Sequence, residues 1–391
     1  MKTVIVRECG PENPDCDYLL DLTKTEVKDC IGCWTCWLKK PGSCAHKDLD
    51  DFYRAFLSAD KLIIFSKANQ GFVSGNMKSL FDRMIPLYLP YINYKKGESM
   101  HFPRYEKYPD IEVYYEGSFD TDEEKDIYEA YLNRLLYQFL CEHYVIKPIS
   151  EYTAAPATAG NASKSASKGL IIMNGSPNAA RGNTEVFIRK FIEGMQEDQE
   201  NQNVCGVNEV AYAAKEDHEA LAEKLQEHDE IIISFPLYVH AMPGSVKKVL
   251  ECMKPVEGSG KRMGFIIQYG FMEGAQSDYV VRYLKSFTKK MNYELIGIAV
   301  HGGSAGVSMM PEKMNKKLFT DLKELGSGYS RDGSFSKEVV AELRKPEHLT
   351  KGQCHMYDFM GKLGLTDGMF WNMQLKKNNA FDHRYDRPYI G

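Results

Sequence analysis

Residues 169–195, GLIIMNGSPNAARGNTEVFIRKFIEGM, combine an apolar run, a turn and a helical pattern in immediate succession. The run LIIM predicts a short buried strand, and the apolar residues after the turn recur at the spacing of an α-helix. Further apolar strands are predicted at 230–238, 263–270 and 293–303, alternating with helices at 218–228, 244–253 and 277–291. Continuously apolar strands that alternate with helices are typical of a parallel sheet buried on both faces. The sequence therefore predicts a doubly wound α/β domain in this part of the chain.

The composition is that of an ordinary globular protein with more than one domain. The chain has 391 residues, well beyond the roughly 100–200 that one domain usually holds. Its net charge of -5 gives no bulk attraction to nucleic acid or to anionic lipid. The N-terminus lacks the pattern of a signal peptide, and no apolar run approaches the roughly 18 residues of a membrane helix. We therefore predict a cytoplasmic protein without nucleic-acid partners and without a membrane span.

A change in composition marks the boundary between two halves. Residues 151–169, EYTAAPATAGNASKSASKG, contain almost no large apolar residue, which is typical of a linker. We predict four parts: a first α/β domain at 1–150, a linker at 151–168, a second α/β domain at 169–330 and a tail at 331–391. The tail is predicted to be helical at 336–344 and 353–376 and to pack on the second domain or its neighbour.

The segments after the predicted strands contain the candidate binding residues, because ligands of doubly wound domains bind at the carboxyl ends of the strands. In GSPNAARGNT, at 175–184, Gly175 and Gly182 permit a tight turn. The loop also supplies four polar side chains: Ser176, Asn178, Asn183 and Thr184. The helix that follows presents free N–H groups and the positive end of its dipole. This combination suits a phosphate, and an uncommitted strand-to-helix turn is the alternative.

Two further loops border the same edge of the predicted sheet. FPLYVHAMPG, at 235–244, carries Pro236, Tyr238 and His240, and HGGSAG, at 301–306, follows the last strand. A rigid aromatic turn beside a phosphate loop fits a flat, largely apolar ring better than a free sugar phosphate, which points to flavin mononucleotide (FMN). Ordinary loop packing of Tyr238 and His240 is the alternative. The sequence assigns no catalytic residue, and these two side chains are candidate acids or bases only.

GSPNAARGNT, followed further along by FPLYVHAMPGSVKKVLE, resembles the NADPH-dependent FMN reductase family, which has a flavodoxin-like fold. The resemblance implies electron transfer through FMN, with NAD(P)H as a donor. It implies that the FMN phosphate is held by Ser176, Asn178, Gly182, Asn183 and Thr184. It also implies that two loops line the isoalloxazine ring: Pro236, Leu237, Tyr238, Val239 and His240 in one, and Tyr269, Gly270 and Phe271 in the other.

The first half resembles the same family in other parts. Residues 61–86, KLIIFSKANQGFVSGNMKSLFDRMIP, are similar to a strand of the family, its second loop and the helix after it. The strand TVIVREC, at 3–9, is instead followed by GPENPDCDYLLDL, which has no Gly-Asn-Thr loop and is too short for a crossover helix. We therefore expect two flavodoxin-like domains, the first truncated at its start. Single-domain relatives are generally homo-oligomers, so one half of this chain would occupy the place that a partner subunit has in those relatives. We also expect that the chain itself forms a homo-oligomer.

Four cysteines lie close together in DCIGCWTCWLKKPGSC, at 29–44: Cys30, Cys33, Cys36 and Cys44. In a reducing compartment such a group favours metal, cluster or catalytic use over structural disulfides. Three thiolates on one tight loop, with a fourth beyond a Pro-Gly turn, suit an iron–sulfur cubane. The motif also resembles the iron–sulfur flavoprotein branch, whose cysteines bind a [4Fe-4S] cluster. Reduced structural thiols, a zinc site and a redox disulfide remain alternatives.

Aromatic and basic residues accompany the cysteines in the first half. Trp34 and Trp37 would either shield a cluster or pack in a core or interface, and His46 is an alternative to Cys44 as a ligand. In LYLPYINYKKGESMHFPRY, at 87–105, Arg104 would suit a ring edge or a nicotinamide phosphate, with a packed surface loop as the alternative.

Three classes of function are compatible with these features. The class we favour is an FMN-dependent oxidoreductase or electron-transfer flavoprotein, with a small-molecule or protein partner and a [4Fe-4S] cluster as a further centre. The second is a flavin-free metal-binding or redox-sensing module organised around the cysteines. The third is a non-catalytic scaffold with a flavodoxin-like fold.

Overall fold

The computed structural model describes residues 2–141, 143–152, 169–197, 207–258, 260–363 and 367–390. The chain divides into two compact units, Met1–Thr158 with Leu349–Gly391, and Ala159–His348. Most of the predicted linker, 153–168, lies outside the described residues. Residues 331–348 of the predicted tail belong to the second unit, and the rest of the tail belongs to the first.

The first unit begins with twelve helices and strands in the order β1 (Thr3–Arg7), β2 (Tyr18–Asp21), α1 (Thr35–Leu38), α2 (Asp50–Ser58), β3 (Lys61–Asn69), β4 (Phe72–Val73), α3 (Gly75–Asp82), β5 (Tyr88–Asn93), β6 (Met100–Pro103), β7 (Asp110–Glu116), α4 (Asp122–Gln138) and β8 (Tyr144–Pro148). Five strands form a parallel sheet in the order β2-β1-β3-β7-β8. Strand β4 pairs antiparallel with β3, and β5 pairs with β6 in a separate hairpin. Residues 8–17 connect β1 to β2 without a helix, which confirms that this domain is truncated at its start.

The second unit continues as β9 (Leu170–Asn174), α5 (Asn183–Glu197), β10 (Val207–Tyr212), α6 (His218–Gln226), β11 (Glu230–Pro236), α7 (Gly244–Cys252), β12 (Arg262–Gln268), α8 (Asp278–Lys290), β13 (Glu294–His301), α9 (Lys316–Asp332) and α10 (Lys337–Leu343). Its sheet is parallel throughout, in the order β10-β9-β11-β12-β13. Counted along each sheet's own strands, both units have the order 2-1-3-4-5, which is that of the flavodoxin-like fold. The prediction of doubly wound, flavodoxin-like α/β domains is therefore confirmed.

Two elements of the second unit were not among the predicted ones, namely β10 and α9. Strand β10, VNEVAY, lies at the edge of the sheet and pairs only with β9, so it lacks the continuous apolar run of a central strand. Helix α9 places apolar side chains at helical spacing into the core, where they meet those of α5: Leu318, Phe319, Leu322, Leu325 and Tyr329. The core of this unit thus extends beyond the alternating strands and helices that the sequence pattern identified.

The last part of the chain adds α11 (Lys351–Lys362) and α12 (Asp367–Lys377) to the first unit. The predicted helix at 353–376 is therefore described as two helices, with residues 364–366 outside the described part. Helix α11 begins with a capping box in which Thr350 and Gln353 bond each other's backbone N–H groups. Among the described residues, no helix has the length and apolarity that crossing a membrane would require.

Candidate functional site

Four loops of the second unit meet at the carboxyl edge of its parallel sheet. They follow β9, β11, β12 and β13, and short backbone bonds connect them: Leu237 N–H donates to the Gln268 carbonyl at 2.9 Å, and Ser304 N–H donates to the Tyr269 carbonyl at 2.9 Å. The edge includes the switch point between β9 and β11, where doubly wound domains bind their ligands. The loops that the sequence singled out therefore lie together at this edge.

The first loop is held close to the sheet by Gly175. Its N–H donates to the Ser234 carbonyl at 2.7 Å, and a Cβ atom at this position would lie 2.3 Å from Val246 Cγ2. Any larger residue would push the start of α7 away from the loop. Gly175 thus permits the close approach of strand, loop and helix.

Ser176 and Gly182 face each other across this loop. Ser176 N–H donates to Asn174 Oδ1 at 2.9 Å, and its hydroxyl oxygen accepts from Asn178 N–H at 3.2 Å. A Cβ atom at Gly182 would lie 2.6 Å from Ser176 Oγ, so only glycine leaves the hydroxyl in place. Since the hydroxyl oxygen acts as an acceptor in this bond, its hydrogen can be donated to an anion.

The start of α5 completes the phosphate-type loop. Thr184 is fully buried, and its hydroxyl oxygen accepts from Gln268 Nε2 at 3.2 Å. Ser304 Oγ in turn lies 2.5 Å from Gln268 Oε1. Gln268 ends β12 and Ser304 lies three residues beyond β13, and neither was a predicted site residue. Together the three side chains join the first turn of α5 to β12 and to the loop after β13.

Asn183 is placed differently from the other predicted phosphate ligands. Its side-chain amide donates to the carbonyls of Ser304 at 2.8 Å and Ala305 at 3.0 Å, and its oxygen accepts from Ser308 N–H at 3.0 Å. All of these partners belong to the loop after β13. The first residue of α5 therefore contacts that loop, and not the interior of the loop 175–182.

The second predicted loop contains a strained turn. Tyr238 N–H donates to the Ala241 carbonyl at 2.7 Å and Ala241 N–H donates back at 3.0 Å, while Val239 and His240 between them have φ values of 46° and 59°. Two successive positive φ values are those of a type I′ turn, and a β-branched residue rarely adopts one. Strain of this kind persists where the surrounding structure imposes it, commonly beside a ligand.

The candidate acid and base residues in this loop differ in exposure. His240 is 3% exposed, and its Nδ1 lies 3.2 Å from the Gln276 carbonyl, which identifies Nδ1 as the protonated nitrogen. Tyr238 and Leu237 are half-buried, and Pro236 ends β11 in the buried part of the sheet. Tyr238 is thus the more accessible of the two candidates.

The third predicted loop, 269–271, presents its backbone and Phe271 to the edge of the sheet. Tyr269 is buried, and its hydroxyl lies 2.8 Å from the Glu273 carbonyl and 3.1 Å from that of Gly274. Burial raises the pKa of this phenol, which stays neutral. Gly270 is exposed and Phe271 is half-buried. The side chain of Tyr269 therefore packs inside the loop, and within 269–271 the residues that reach solvent are Gly270 and Phe271.

The four predicted cysteine ligands lie in the segment 30–44 of the first unit, here called the cysteine turn: Cys30 and Cys33 precede α1, Cys36 belongs to it and Cys44 follows it. Burial raises the pKa of the Cys30 thiol to about 12, and burial followed by the charges of Cys30, Cys44 and Cys33 raises the pKa of Cys36. The charges of Cys33 and Cys44 thus act on both Cys30 and Cys36. Cys33 alone is exposed.

Three buried cationic side chains surround these thiols. Arg83 Nη2 lies 3.7 Å from Cys44 Sγ, and its other contacts include Asp48 at 2.7 Å. The charge of Arg104 lowers the pKa of Cys36 in opposition to burial, whereas Lys78 is paired with Asp82, whose carboxylate raises the pKa of Cys30. The cations therefore offset the effect of burial at Cys36 and not at Cys30.

The cysteine positions do not form a ligand set as they stand. Among the described residues, no group of three or more His, Cys, Asp or Glu side chains is arranged to hold a metal ion. The described cysteines are all free thiols. His46, the alternative ligand, is partly buried, and burial with the charge of Arg83 lowers its pKa.

The C-terminal segment covers the cysteine turn. Trp371 of α12 lies with its ring 5.3 Å from those of both Trp34 and Trp37. Tyr389 accepts from Cys44 N–H at 3.3 Å and donates to Asp50 at 3.0 Å. The three tryptophans of the chain therefore form one cluster beside the cysteines, which decides in favour of packing for Trp34 and Trp37.

Arg104 anchors this segment and does not face a substrate. It is 3% exposed, and its guanidinium donates at 3.0 Å to the carbonyls of Pro86, Arg384 and Asp386. The expectation of a contact to a ring edge or a nicotinamide phosphate is therefore wrong, because the donors are used for backbone carbonyls. Arginine suits this role since its planar group donates in several directions at once.

Alkylation should distinguish the exposed thiol from the buried ones. At pH 8, iodoacetamide is expected to modify Cys33 and to leave Cys30 and Cys36 largely unmodified, because the thiolate is the nucleophile and burial raises both their pKa values. Raising the pH to 10 still leaves Cys30, with a pKa of about 12, mostly protonated. Tandem mass spectrometry of the peptide that carries these cysteines measures the modified fractions. Urea-unfolded protein, in which all of them should react, is the control, and equal rates in the folded protein would contradict the prediction.

Comparison with known proteins finds a family match within the second unit. Residues 168–291 match the family model of NADPH-dependent FMN reductase, and the match extends from β9 to α8. This part of the chain is thus similar to NADPH-dependent FMN reductases over about a third of the chain. Comparison with curated proteins found no significant match.

Solved structures that resemble parts of this chain are flavoproteins and related proteins of low sequence identity. An FMN-dependent NADH-azoreductase from Bacillus anthracis in complex with FMN is 14% identical, covers 42% of this chain and 99% of its own, and has a TM-score of 0.31. A Trp repressor binding protein from Bacillus subtilis is 16% identical, with 40% and 96% coverage and a TM-score of 0.31. An NADH:FMN oxidoreductase in its apo form is 14% identical, with 49% and 99% coverage and a TM-score of 0.33. Likenesses at this level carry no argument about function.

Proposed function

We propose that the protein is an FMN-dependent oxidoreductase that takes electrons from NAD(P)H and passes them to a small-molecule or protein acceptor. The observation that carries the proposal is the loop 175–184, in which Ser176 and Thr184 keep donatable hydroxyl hydrogens on either side of a glycine-lined turn. The loop precedes the N-terminus of α5, whose N–H groups and dipole favour an anion. The match of residues 168–291 to FMN reductases supports the same assignment.

The residues present fit an FMN in their chemistry. A Cβ atom at Gly182 would occupy the space beside the Ser176 hydroxyl that a phosphate oxygen needs. When bound, the flavin supplies hydride and single-electron chemistry. The chain's own residues bind and orient it: Ser176 and Thr184 hold the phosphate, the type I′ turn at Val239 and His240 presents backbone to the ring edge, and Gly270 leaves room beside it.

Titration with FMN tests the proposal directly. Purified protein is expected to quench FMN fluorescence with a stoichiometry of one, and the complex is expected to oxidise NADPH or NADH with ferricyanide as the acceptor. Comparison of the two nucleotides identifies the donor. A protein that neither quenches FMN fluorescence nor oxidises either nucleotide would refute the proposal and favour a flavin-free module or a scaffold.

Removal of one phosphate donor should weaken FMN binding selectively. Ser176→Ala is expected to raise the dissociation constant of FMN about tenfold or more, because a hydrogen bond to a charged group contributes roughly 1.5–3 kcal/mol. Riboflavin, which lacks the phosphate, should bind the variant as it binds the wild type. Fluorescence titration with both flavins measures the difference, and a parallel loss of both would count against a phosphate at Ser176.

We propose as a second centre a [4Fe-4S] cluster held by Cys30, Cys33, Cys36 and Cys44. Its support is the spacing of the four cysteines and the 3.7 Å contact of Arg83 Nη2 with Cys44 Sγ, whereas their present arrangement does not amount to a ligand set. Iron and acid-labile sulfide assays on anaerobically purified protein decide the matter. About four of each per chain, lost in Cys33→Ser, would support the cluster, and iron-free protein with four titratable thiols would leave them as structural residues.

We also propose that the two units are fused copies of one fold. In each unit, two residues with positive φ follow the third strand of the sheet, and the next helix begins at a glycine. That helix carries a buried lysine that pairs with the carboxylate four residues further along the chain. The residues are Gln70, Gly71, Gly75, Lys78 and Asp82 in the first unit and Val239, His240, Gly244, Lys247 and Glu251 in the second. We propose in addition that the protein is cytoplasmic and that it forms a homo-oligomer. The proposed division of the chain is a first domain at 1–150, a linker at 151–168, a second domain at 169–330 and a tail at 331–391. Light scattering of the purified protein tests the oligomeric state.

Cleavage within the linker provides a test of the domain organisation. Limited trypsin treatment is expected to cut after Lys164 or Lys168, in the Ala- and Ser-rich segment. The two fragments should nevertheless elute together in gel filtration, because residues 349–390 pack on the N-terminal fragment through Trp371, Tyr389 and Arg104. Separation of the fragments without denaturant would contradict this arrangement.

A further inference from the structure

The first residue of α5 serves a different purpose from the one that its place in the Gly-Asn-Thr motif implies. We propose that Asn183 is a positioning residue whose side chain ties α5 to the loop 302–308, and through it to the loop 269–271, and that this side chain is not a ligand of the FMN phosphate. The inference deepens the proposed function and rests on it for the identity of the ligand.

The side-chain amide of Asn183 forms hydrogen bonds only to the loop after β13 among the bonds described. A carboxamide has two N–H donors, and here one donates to the Ser304 carbonyl at 2.8 Å and the other to the Ala305 carbonyl at 3.0 Å. The amide oxygen accepts from Ser308 N–H at 3.0 Å. A flipped amide would direct its oxygen at two carbonyls, so the network defines the orientation. No side-chain donor remains for a phosphate, which can only accept hydrogen bonds.

The neighbouring polar residues differ in this respect. The hydroxyl oxygens of Ser176 and Thr184 accept, from Asn178 N–H at 3.2 Å and from Gln268 Nε2 at 3.2 Å, and each hydroxyl hydrogen remains available. The loop therefore divides its polar side chains into two groups. The hydroxyls suit the phosphate, and the amide of Asn183 suits the adjacent loop.

The loop that Asn183 holds supports the ring-side loop. Ser304 N–H donates to the Tyr269 carbonyl at 2.9 Å, and Gly303 N–H donates to the Phe271 carbonyl at 2.7 Å. A Cβ atom at Gly302 would lie 2.5 Å from the Phe271 carbonyl oxygen, so the two loops are in close backbone contact. Loss of the tie at Asn183 would be transmitted to the residues expected beside the isoalloxazine ring.

The two roles of Asn183 make opposite predictions for a flavin without a phosphate. A phosphate ligand contributes to the binding of FMN and not to that of riboflavin. A residue that positions the ring-side loop contributes to both in the same proportion. The ratio of the two dissociation constants is therefore a readout that distinguishes positioning from phosphate binding.

Flavin titrations of full-length Asn183→Ala, with Ser176→Ala as the matched control, test the proposal. Asn183→Ala is expected to raise the dissociation constants of FMN and riboflavin by the same factor, about tenfold, since the three neutral hydrogen bonds that position the loop are lost. Ser176→Ala should change that of FMN alone. A loss confined to FMN in Asn183→Ala, or no loss at all, would overturn the proposal.

Hydrogen exchange in the flavin-free protein tests the role of Asn183 without requiring that the protein bind FMN. Asn183→Ala is expected to accelerate exchange at the Ser308 amide, whereas Asn183→Asp, which retains an acceptor oxygen, should preserve much of its protection. Circular dichroism verifies that each variant is folded. If the wild type does not bind FMN, the proposed function fails while the exchange data still decide on the tie. Unchanged exchange at 302–308 in Asn183→Ala would refute it.

Discussion

Replacing Asp82 by asparagine is expected to lower the free energy of unfolding of the first unit by about 3–5 kcal/mol. Asp82 ends α3 and pairs with Lys78, and their side chains are 1% and 0% exposed. Without the carboxylate, the buried ammonium loses its charged partner and retains the cost of leaving water. Urea unfolding followed by tryptophan fluorescence measures the loss, since Trp34, Trp37 and Trp371 all belong to this unit.

A corresponding pair in the second unit provides the control. Lys247 and Glu251 lie 2.8 Å apart, but Glu251 is 16% exposed, so Glu251→Gln should cost clearly less in thermal unfolding. The pH dependence gives a second check. Burial lowers the pKa of Lys78 and Asp82 opposes this, so without Asp82 the folded-state pKa falls further below the unfolded value of about 10.4. The unfolded state then binds more protons, and the deficit should shrink as the pH rises towards that value. Equal losses in the two units would contradict the prediction.

Replacing Gly326 by alanine is expected to destabilise the second unit by about 3 kcal/mol. A Cβ atom there would lie 1.9 Å from the Phe191 carbonyl oxygen, and one at Gly194 would lie 1.9 Å from that of Lys323. The backbones of α5 and α9 are thus in contact at these glycines, so an added methyl group fits only if one helix moves away from the other. For a unit of this size the melting temperature should fall by roughly 6–12 °C, which far-UV circular dichroism measures. Since α5 begins at the loop proposed to hold the FMN phosphate, FMN affinity should fall as well if that proposal is right.

Gly328 in the same helix is the matched control. The nearest atom to a Cβ at Gly328 is Ser336 Cβ at 3.9 Å, an ordinary contact. Gly328→Ala should therefore leave stability unchanged or raise it by up to about 1 kcal/mol, because alanine favours the helix. Equal melting temperatures of the two variants would show that the close packing of α5 on α9 is not the reason why position 326 requires glycine.

The parallel sheets and the phosphate-type loop could be predicted because their signals are local. Four consecutive apolar residues suffice for a buried strand such as β9, and Gly175 and Gly182 act on the backbone at their own positions. Strand β10 gave no such signal, because an edge strand needs an apolar face on one side only. The strained turn at Val239 had no residue signature either, since valine is not a residue that type I′ turns favour.

The cysteine turn shows the same division between local and distant causes. The spacing of Cys30, Cys33 and Cys36 along the chain suffices to bring their sulfur atoms near one another. Whether they point at a common centre depends on the surrounding packing, which includes Tyr389 and Trp371 from the far end of the chain. The spacing alone therefore predicted proximity and left the ligand geometry open.

By itself the sequence determined the two α/β domains, the truncated start of the first, and the loop that would receive a phosphate, because each depends on residues within a few positions of one another. Only the tertiary structure decided which polar side chains in that loop can still donate. Asn183 was equivalent to Ser176 and Thr184 until its amide met the carbonyls of Ser304 and Ala305, more than a hundred residues away along the chain. Hydrogen-bond donors are used up by whichever partners the fold brings near, and that information lies outside any local motif.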